Sequence, residues 1–449
     1  MQQAYDFTSG KILSPLLRFV LPVFFAMFLQ SMYGAVDLMI VGKFAAALDV
    51  SAVSTGSQIM MTLTNLVTSF AMGTTILLGR RIGEGNIQEG SKVIGSSICL
   101  FAAVAAVLTL VIPLSSPALS AVMHAPEEAF AETVQYIRIC GLGSVFIIAY
   151  NLIGSVFRGI GDSKTPLLTV FIACVFNIAG DLLLVAVCHM GTAGAAIATV
   201  AAQAISVVIS LGLMRRRELP FKLTKKDVRF EPGVIRQVTA LGFPIALQDL
   251  LVGVSFLVLL AIVNSLGLIA SAGVGVAEKV CGFIMLIPAA FMQAMAAFVA
   301  QNIGAQKYDR AKKSLLYAIC VSASLAVVMF AVTFWYGRLL SSIFANDAQV
   351  ITASADYLKA YAIDCLLTCF LFCFIGFFNG LGMTRFVMIQ GIIGAFCVRI
   401  PVAFFMSREV PVSMFHMGLA TPCATVIQVI MCLVCFWFAN RKYAGSVPS

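Results

Sequence analysis

The chain is short of charge and of the residues that do most chemistry in water. Only 11% of its 449 residues are Asp, Glu, Lys or Arg, and it has two Trp and three His. Soluble domains carry about a quarter charged residues, so a chain this poor in charge is an integral membrane protein. The histidines, His124, His189 and His416, are scattered, with no spacing that sets ligands around a metal ion. The 13 Cys follow no paired extracellular pattern. Most lie inside apolar stretches, where a thiol behaves as a small hydrophobe. Cys365, Cys369 and Cys373 share one helix face, which reads as tight helix packing. No phosphate-cradling glycine loop with its lysine is present, so ATP-driven pumping is not expected. The N-terminal residues show no short apolar run followed by a small-residue cleavage site, so no cleaved leader is expected.

What the chain has in abundance is apolar length: 61% of residues are hydrophobic, 35 of them Phe. About 20 apolar residues cross the hydrocarbon as a helix. Twelve such stretches occur, at 14–40, 52–78, 93–114, 133–157, 165–188, 191–214, 238–264, 270–300, 314–337, 354–379, 386–407 and 412–438. The strongest interruption is RRRELPFKLTKKDVRFEPGVIR at 215–236. The expected organisation is an N-terminal six-helix bundle (1–214), a linker (215–236), a C-terminal six-helix bundle (237–438) and a tail (439–449). Of the 29 Lys and Arg, 22 fall in one alternate set of connections, which includes both termini and the linker. This bias places those connections in the cytoplasm of a multi-pass plasma-membrane protein. It accounts for the net charge of +9 without a nucleic-acid partner.

The halves repeat one another. RRIGEGN (80–86) matches QNIGAQK (301–307), FRGIG (157–161) matches FNGLG (378–382), and YIRI (136–139) matches YLKA (357–360). Pro22 and Pro244 sit near the starts of spans 1 and 7, 222 residues apart, close to the 221 that separates the other repeats. Six spans per half give both halves one orientation. The expected fold is an all-α polytopic membrane protein, with twelve transmembrane helices in two six-helix bundles related by a parallel internal repeat. Such repeats build transporters.

Polar residues inside spans are costly and mark function. Asn177 and Asp181 lie one helical turn apart in span 5 and share a face. A rise of about 1.5 Å per residue puts Asp181 in the outer half of the membrane, level with Asp37 of span 1 and Thr199 of span 6. Two carboxylates in a poorly solvated place cannot both be charged comfortably, so they hold a proton or accept a small cation such as Na⁺. The other reading is that Asn177 and Asp181 only hydrogen-bond neighbouring helices. In the second half Asp249, Glu278, Lys279, Asp364 and Arg399 lie at roughly 14–20 Å depth. They either pair or line a substrate cavity, together with Tyr33, Met60 and Met285. Flexible Met side chains suit varied ligands but also pack ordinary membrane helices.

These stretches resemble the multidrug and toxic compound extrusion (MATE) transporters over nearly the full length. The resemblance rests on the two-half plan, Pro22 with VDLMIVGKF (36–44), RRIGEG, FRGIGDSKTP (157–166) and AQNIGA (300–305). It implies an N-terminal coupling site at Asp37, Asn177, Asp181 and Thr199, and a span 1 that bends at Pro22. The family's second site does not carry over: its span 7 position is Val252 here, and Asp249 and Asp364 sit on the right helices at other places. The resemblance further implies a secondary active exporter, not an enzyme, that uses an H⁺ or Na⁺ gradient and no cofactor. It would move organic, cationic or amphipathic compounds and work as a monomer. A lipid-linked oligosaccharide flippase of related architecture is the alternative, favoured by fourteen spans or a strongly basic central cavity.

Overall fold

The computed structural model describes residues 6–216, 224 and 226–444. Parts of the linker (217–223 and 225) and of the tail (445–449) lie outside the described residues. The described chain is helical, with no strand among the described residues, because a segment in lipid must satisfy its own backbone hydrogen bonds.

The helices run α1 (Leu13–Phe44), α2 (Ala47–Gly83), α3 (Ile87–Val122), α4 (Phe130–Leu142), α5 (Ser144–Ile160), α6 (Lys164–Asp181), α7 (Gly191–Arg216) and α8 (Pro232–Asn264). They continue with α9 (Leu268–Ile284), α10 (Leu286–Gly304), α11 (Tyr308–Ser342), α12 (Ala348–Gly380), α13 (Thr384–Ile392), α14 (Ile400–Met406), α15 (Met414–Gly418) and α16 (Ala420–Ala444). Local chemistry sets their ends. The Asn86 side chain accepts from Glu89 N to start α3, and Asp347 accepts from Gln349 N and Val350 N to start α12. Gly161, at φ 93°, closes α5 in the left-handed conformation that a residue without a Cβ adopts freely.

Among the described residues eleven helical segments are long and apolar enough to cross a membrane, and twelve if α4 and α5 count as one broken span. That pair bends by 52°, where the sequence suggested a single span at 133–157. The bend falls at Gly141-Leu142-Gly143, where two glycines weaken helix propensity. Spans 5 and 11 each contain a π-helical segment, Leu182–Val187 after α6 and Ile393–Arg399 after α13. Such wide turns leave no mark on apolar periodicity, and they recur at functional sites.

By packing, the chain forms two units. One is Leu21–Ala246; the other joins Phe7–Val20 to the chain from Leu247 onward. Each unit therefore takes the first part of a span whose remainder belongs to the other, and the changeovers lie beside Pro22 and Pro244. In the first unit Val67, Leu77, Phe101, Leu152 and Val156 form an apolar core. In the second, Leu259, Val274, Tyr357, Leu358 and Met417 do so, with α12 the most enclosed span. Large apolar side chains such as Leu114 and Leu268 face outward, the arrangement expected against lipid. Buried hydroxyls bind between helices: Thr74 and Ser97 lie 3.0 Å apart, and Thr68 donates to Asn151 Oδ1 at 2.7 Å.

α1 and α8 each add residues to apolar cores: Ile40 and Val41 of α1 pack with Val53 and Tyr136, and Leu259 and Val263 of α8 pack with Val274 and Ala277. α8 makes one close approach to α2 within the first unit. A β-carbon on Gly73 would fall 2.4 Å from the Val238 carbonyl oxygen, and one on Gly242 would fall 2.2 Å from that of Phe70. Only glycine permits this crossing.

Candidate functional site

In the first unit α1, α6 and α7 bring the four polar residues together. Asp37, Asn177 and Asp181 are 4%, 1% and 0% exposed. The Asp37 and Asp181 carboxyls face one another. Asn177 Nδ2 donates to Thr199 Oγ1 at 3.4 Å. Asp37 Oδ1, both Asp181 carboxylate oxygens and Asn177 Oδ1 are buried, and no donor reaches them. Four acceptor oxygens without donors, two of them on one carboxylate, are expensive in a buried place. A proton or a small cation removes that cost. Asp181 is the last α-helical residue before the π-helical segment, which re-aims the chain immediately beyond it.

Around this cluster lie groups the sequence did not single out for it. The Tyr33 hydroxyl, one turn before Asp37, sits beside Gln203 of α7. The Tyr136 hydroxyl sits beside Thr199. Tyr33 is thus placed next to the carboxylate pair and joins this cluster. Tyr136 had a signal: it opens the YIRI repeat whose counterpart opens on Tyr357, and the two tyrosines are 2% and 1% exposed. Met60 is buried among Ile40, Val41, Val53 and Tyr136, where its flexible thioether fills space behind the cluster. Pro22 lies inside α1, which runs unbroken through it. Lacking an N–H, it leaves the Arg18 carbonyl without a helical partner.

The second unit arranges its polar residues differently. Opposite charges at one depth suggested direct pairing. Instead the Asp364 carboxylate accepts from Thr425 Oγ1 at 2.6 Å and from Thr368 Oγ1 at 2.9 Å. Arg399 donates to Ser255 Oγ at 2.8 Å and stacks over Phe256, 4.1 Å from the ring centre. The two charges interact across the space between them, but no ion pair joins them among the described residues. Short hydroxyl side chains on α12 and α16 reach Asp364 first. Glu278 is half-buried, with an Oε1 that meets no donor. Lys279 and Asp249 are exposed. Met285 packs at the edge of the apolar core.

A twelve-span protein built from two similar halves, with a buried oxygen cluster in the first, defines a class of duplicated membrane proteins. The MatE family profile matches the chain twice, at 22–183 and 244–405. The chain therefore belongs to the MatE family, the MATE transporters. The offset between the two matches is the spacing of Pro22 and Pro244. The chain is 24% identical over 442 residues to the probable multidrug resistance protein YoeA of Bacillus subtilis, covering 94% of this chain and 93% of that one. It is 22% identical over 406 residues to the multidrug export protein MepA of Staphylococcus aureus, covering 90% of each. Its fold is similar to the crystal structures of a MATE protein in the straight conformation (TM-score 0.89, 17% identity, 99% of each chain) and in the bent conformation (TM-score 0.88, 18% identity, 98% and 97%).

Proposed function

We propose that this protein is a secondary exporter of small organic compounds, coupled to inward movement of H⁺ or Na⁺ through Asp37, Asn177, Asp181 and Thr199. The observation that carries the coupling site is the set of four buried acceptor oxygens facing no donor. Such a set is stable with a cation or proton aboard and strained without one, so its occupancy can bias a conformational equilibrium. A gradient drives transport only if the ion's binding free energy differs between the inward- and outward-facing states. The residue positioned to supply that difference is Asp37, because it rides on α1, which carries Pro22. The relatives' names as multidrug resistance and export proteins support export of organic compounds. The basic connections favour cytoplasmic termini.

The test is efflux of a cationic dye from proteoliposomes under a proton gradient or a Na⁺ gradient imposed separately, with wild type beside Asp37→Asn. Transport driven by one gradient and lost in the variant supports the site and names the ion. Equal transport by the variant would remove Asp37 from the mechanism.

A further inference from the structure

The basic end of the second unit holds a cavity of about 1130 Å³ that the transport cycle does not use. Residues 10–13, the start of α11 and Asn440 of α16 wall it. Five lining side chains are basic, Lys11, Lys307, Arg310, Lys312 and Lys313, against the single acid Asp309.

The wall is a built feature. Arg310 Nε donates to the Phe7 carbonyl at 2.7 Å, Nη1 to Gly10 at 2.7 Å and Nη2 to Ser9 at 2.6 Å. Lys307 Nζ holds the Thr8 carbonyl at 2.9 Å. Gly10, at φ 67°, turns the arm back around the guanidinium. These carbonyls hold both cations in place in the wall. Elsewhere basic side chains meet carboxylates: Arg81 pairs with Glu84, Lys92 with Glu89, Arg229 with Glu231 and Lys359 with Asp356. Among the described residues no carboxylate pairs with Lys11, Lys312 or Lys313. α11 also starts here without a side-chain cap, which adds the positive end of a helix dipole.

The rim identifies the occupant. Leu13 and Tyr317 line the cavity and are 37% and 43% exposed. Trp437, three residues before Asn440, is also exposed, and the Arg441 guanidinium lies 3.6 Å over its ring centre. Exposed aromatic rings beside cations are the signature of the membrane–water interface. We propose that this cavity binds the headgroup of an anionic phospholipid, whose chains lie along Leu13, Tyr317 and Trp437. Basic pockets between transmembrane helices recognise such headgroups. A free phosphate shares the headgroup's chemistry but has no use for the apolar rim.

The chain has two tryptophans, so full-length Trp335→Phe leaves Trp437 as the reporter. The measurement is quenching of its fluorescence by brominated phosphatidylglycerol against brominated phosphatidylcholine in mixed micelles. Phosphatidylglycerol is expected to quench at the lower mole fraction. Lys312→Gln with Lys313→Gln should weaken that preference by roughly fivefold per lysine, while Arg at both positions should preserve it. Both lysines are exposed, so folding is not at stake. Equal quenching by the two lipids, or a preference that ignores the lysines, would overturn the proposal. So would full competition by inorganic phosphate, which would assign the cavity to a soluble phosphate compound.

Discussion

Asp49 Oδ1 accepts two hydrogen bonds from one residue 143 positions away: Thr192 N at 2.9 Å and Thr192 Oγ1 at 2.7 Å. Its other oxygen accepts from Ala46 N at 3.1 Å. One carboxylate thus caps α2 and α7 together. It fixes the start of α7 about two turns from Thr199, so the height of Thr199 in the oxygen cluster depends on a residue in the first turn of α2.

Asp49→Ala should therefore cost about 1–3 kcal/mol, the range for losing a cap and leaving buried donors unmatched. Asp49→Asn should retain part of it. Thermal melts of the purified protein check both, and a melt unchanged in Asp49→Ala would remove the double cap from any account of stability.

Neutralising the oxygen cluster should separate folding from transport. Asp181→Asn removes a buried carboxylate whose oxygens meet no donor, so the melting temperature should stay level or rise. Gradient-driven dye efflux should drop to the background of empty liposomes. Efflux at the wild-type level would leave the cluster with a packing role only.

The crossing of Gly73 with Gly242 leaves no room for a methyl group. Gly73→Ala or Gly242→Ala should cost about 1–3 kcal/mol by overpacking, because backbone carbonyls, unlike side chains, cannot turn away. Alanine at Gly233, where the added carbon meets nothing within 4 Å, is the matched control and should be near neutral.

In the second unit, Arg399→Met should remove the bond to Ser255 and the longer-range attraction to Asp364, and destabilise by about 1–3 kcal/mol. Adding Asp364→Asn should recover the part of that loss owed to the attraction. If the two effects simply add in a double-mutant cycle, the charges do not sense each other across the gap.

Much of the fold and of the cluster was legible in the sequence. Apolar runs of span length and the repeats at Pro22 and Pro244 carry the twelve-span duplicated plan, since lipid leaves the backbone little choice. Asp37, Asn177, Asp181 and Thr199 stood out because polar residues are rare in such runs, and simple rise along a helix set them at one level. The partners were harder to read. Tyr136 and Gln203 gain their positions from helix packing, which depth alone does not give. Thr425 and Thr368 pass unnoticed in a membrane span, so the pairing of Asp364 by hydroxyls was hidden behind the more obvious opposite charge of Arg399. The bend after α4 and the π-helical segments arise from local backbone choices that apolar periodicity averages away.

The changeover between units inside α1 and α8, rather than in a loop, bears on how the protein is made. Residues 7–20 are synthesised well before their packing partners, which begin at Leu247. Residues up to Ala246 belong with a unit whose other spans have long been synthesised. Synthesis of the first half therefore ends with an arm still waiting, and neither half cut at the linker contains a complete unit. Assembly is completed only after the second half is in the membrane, so the halves mature as one object and not in turn.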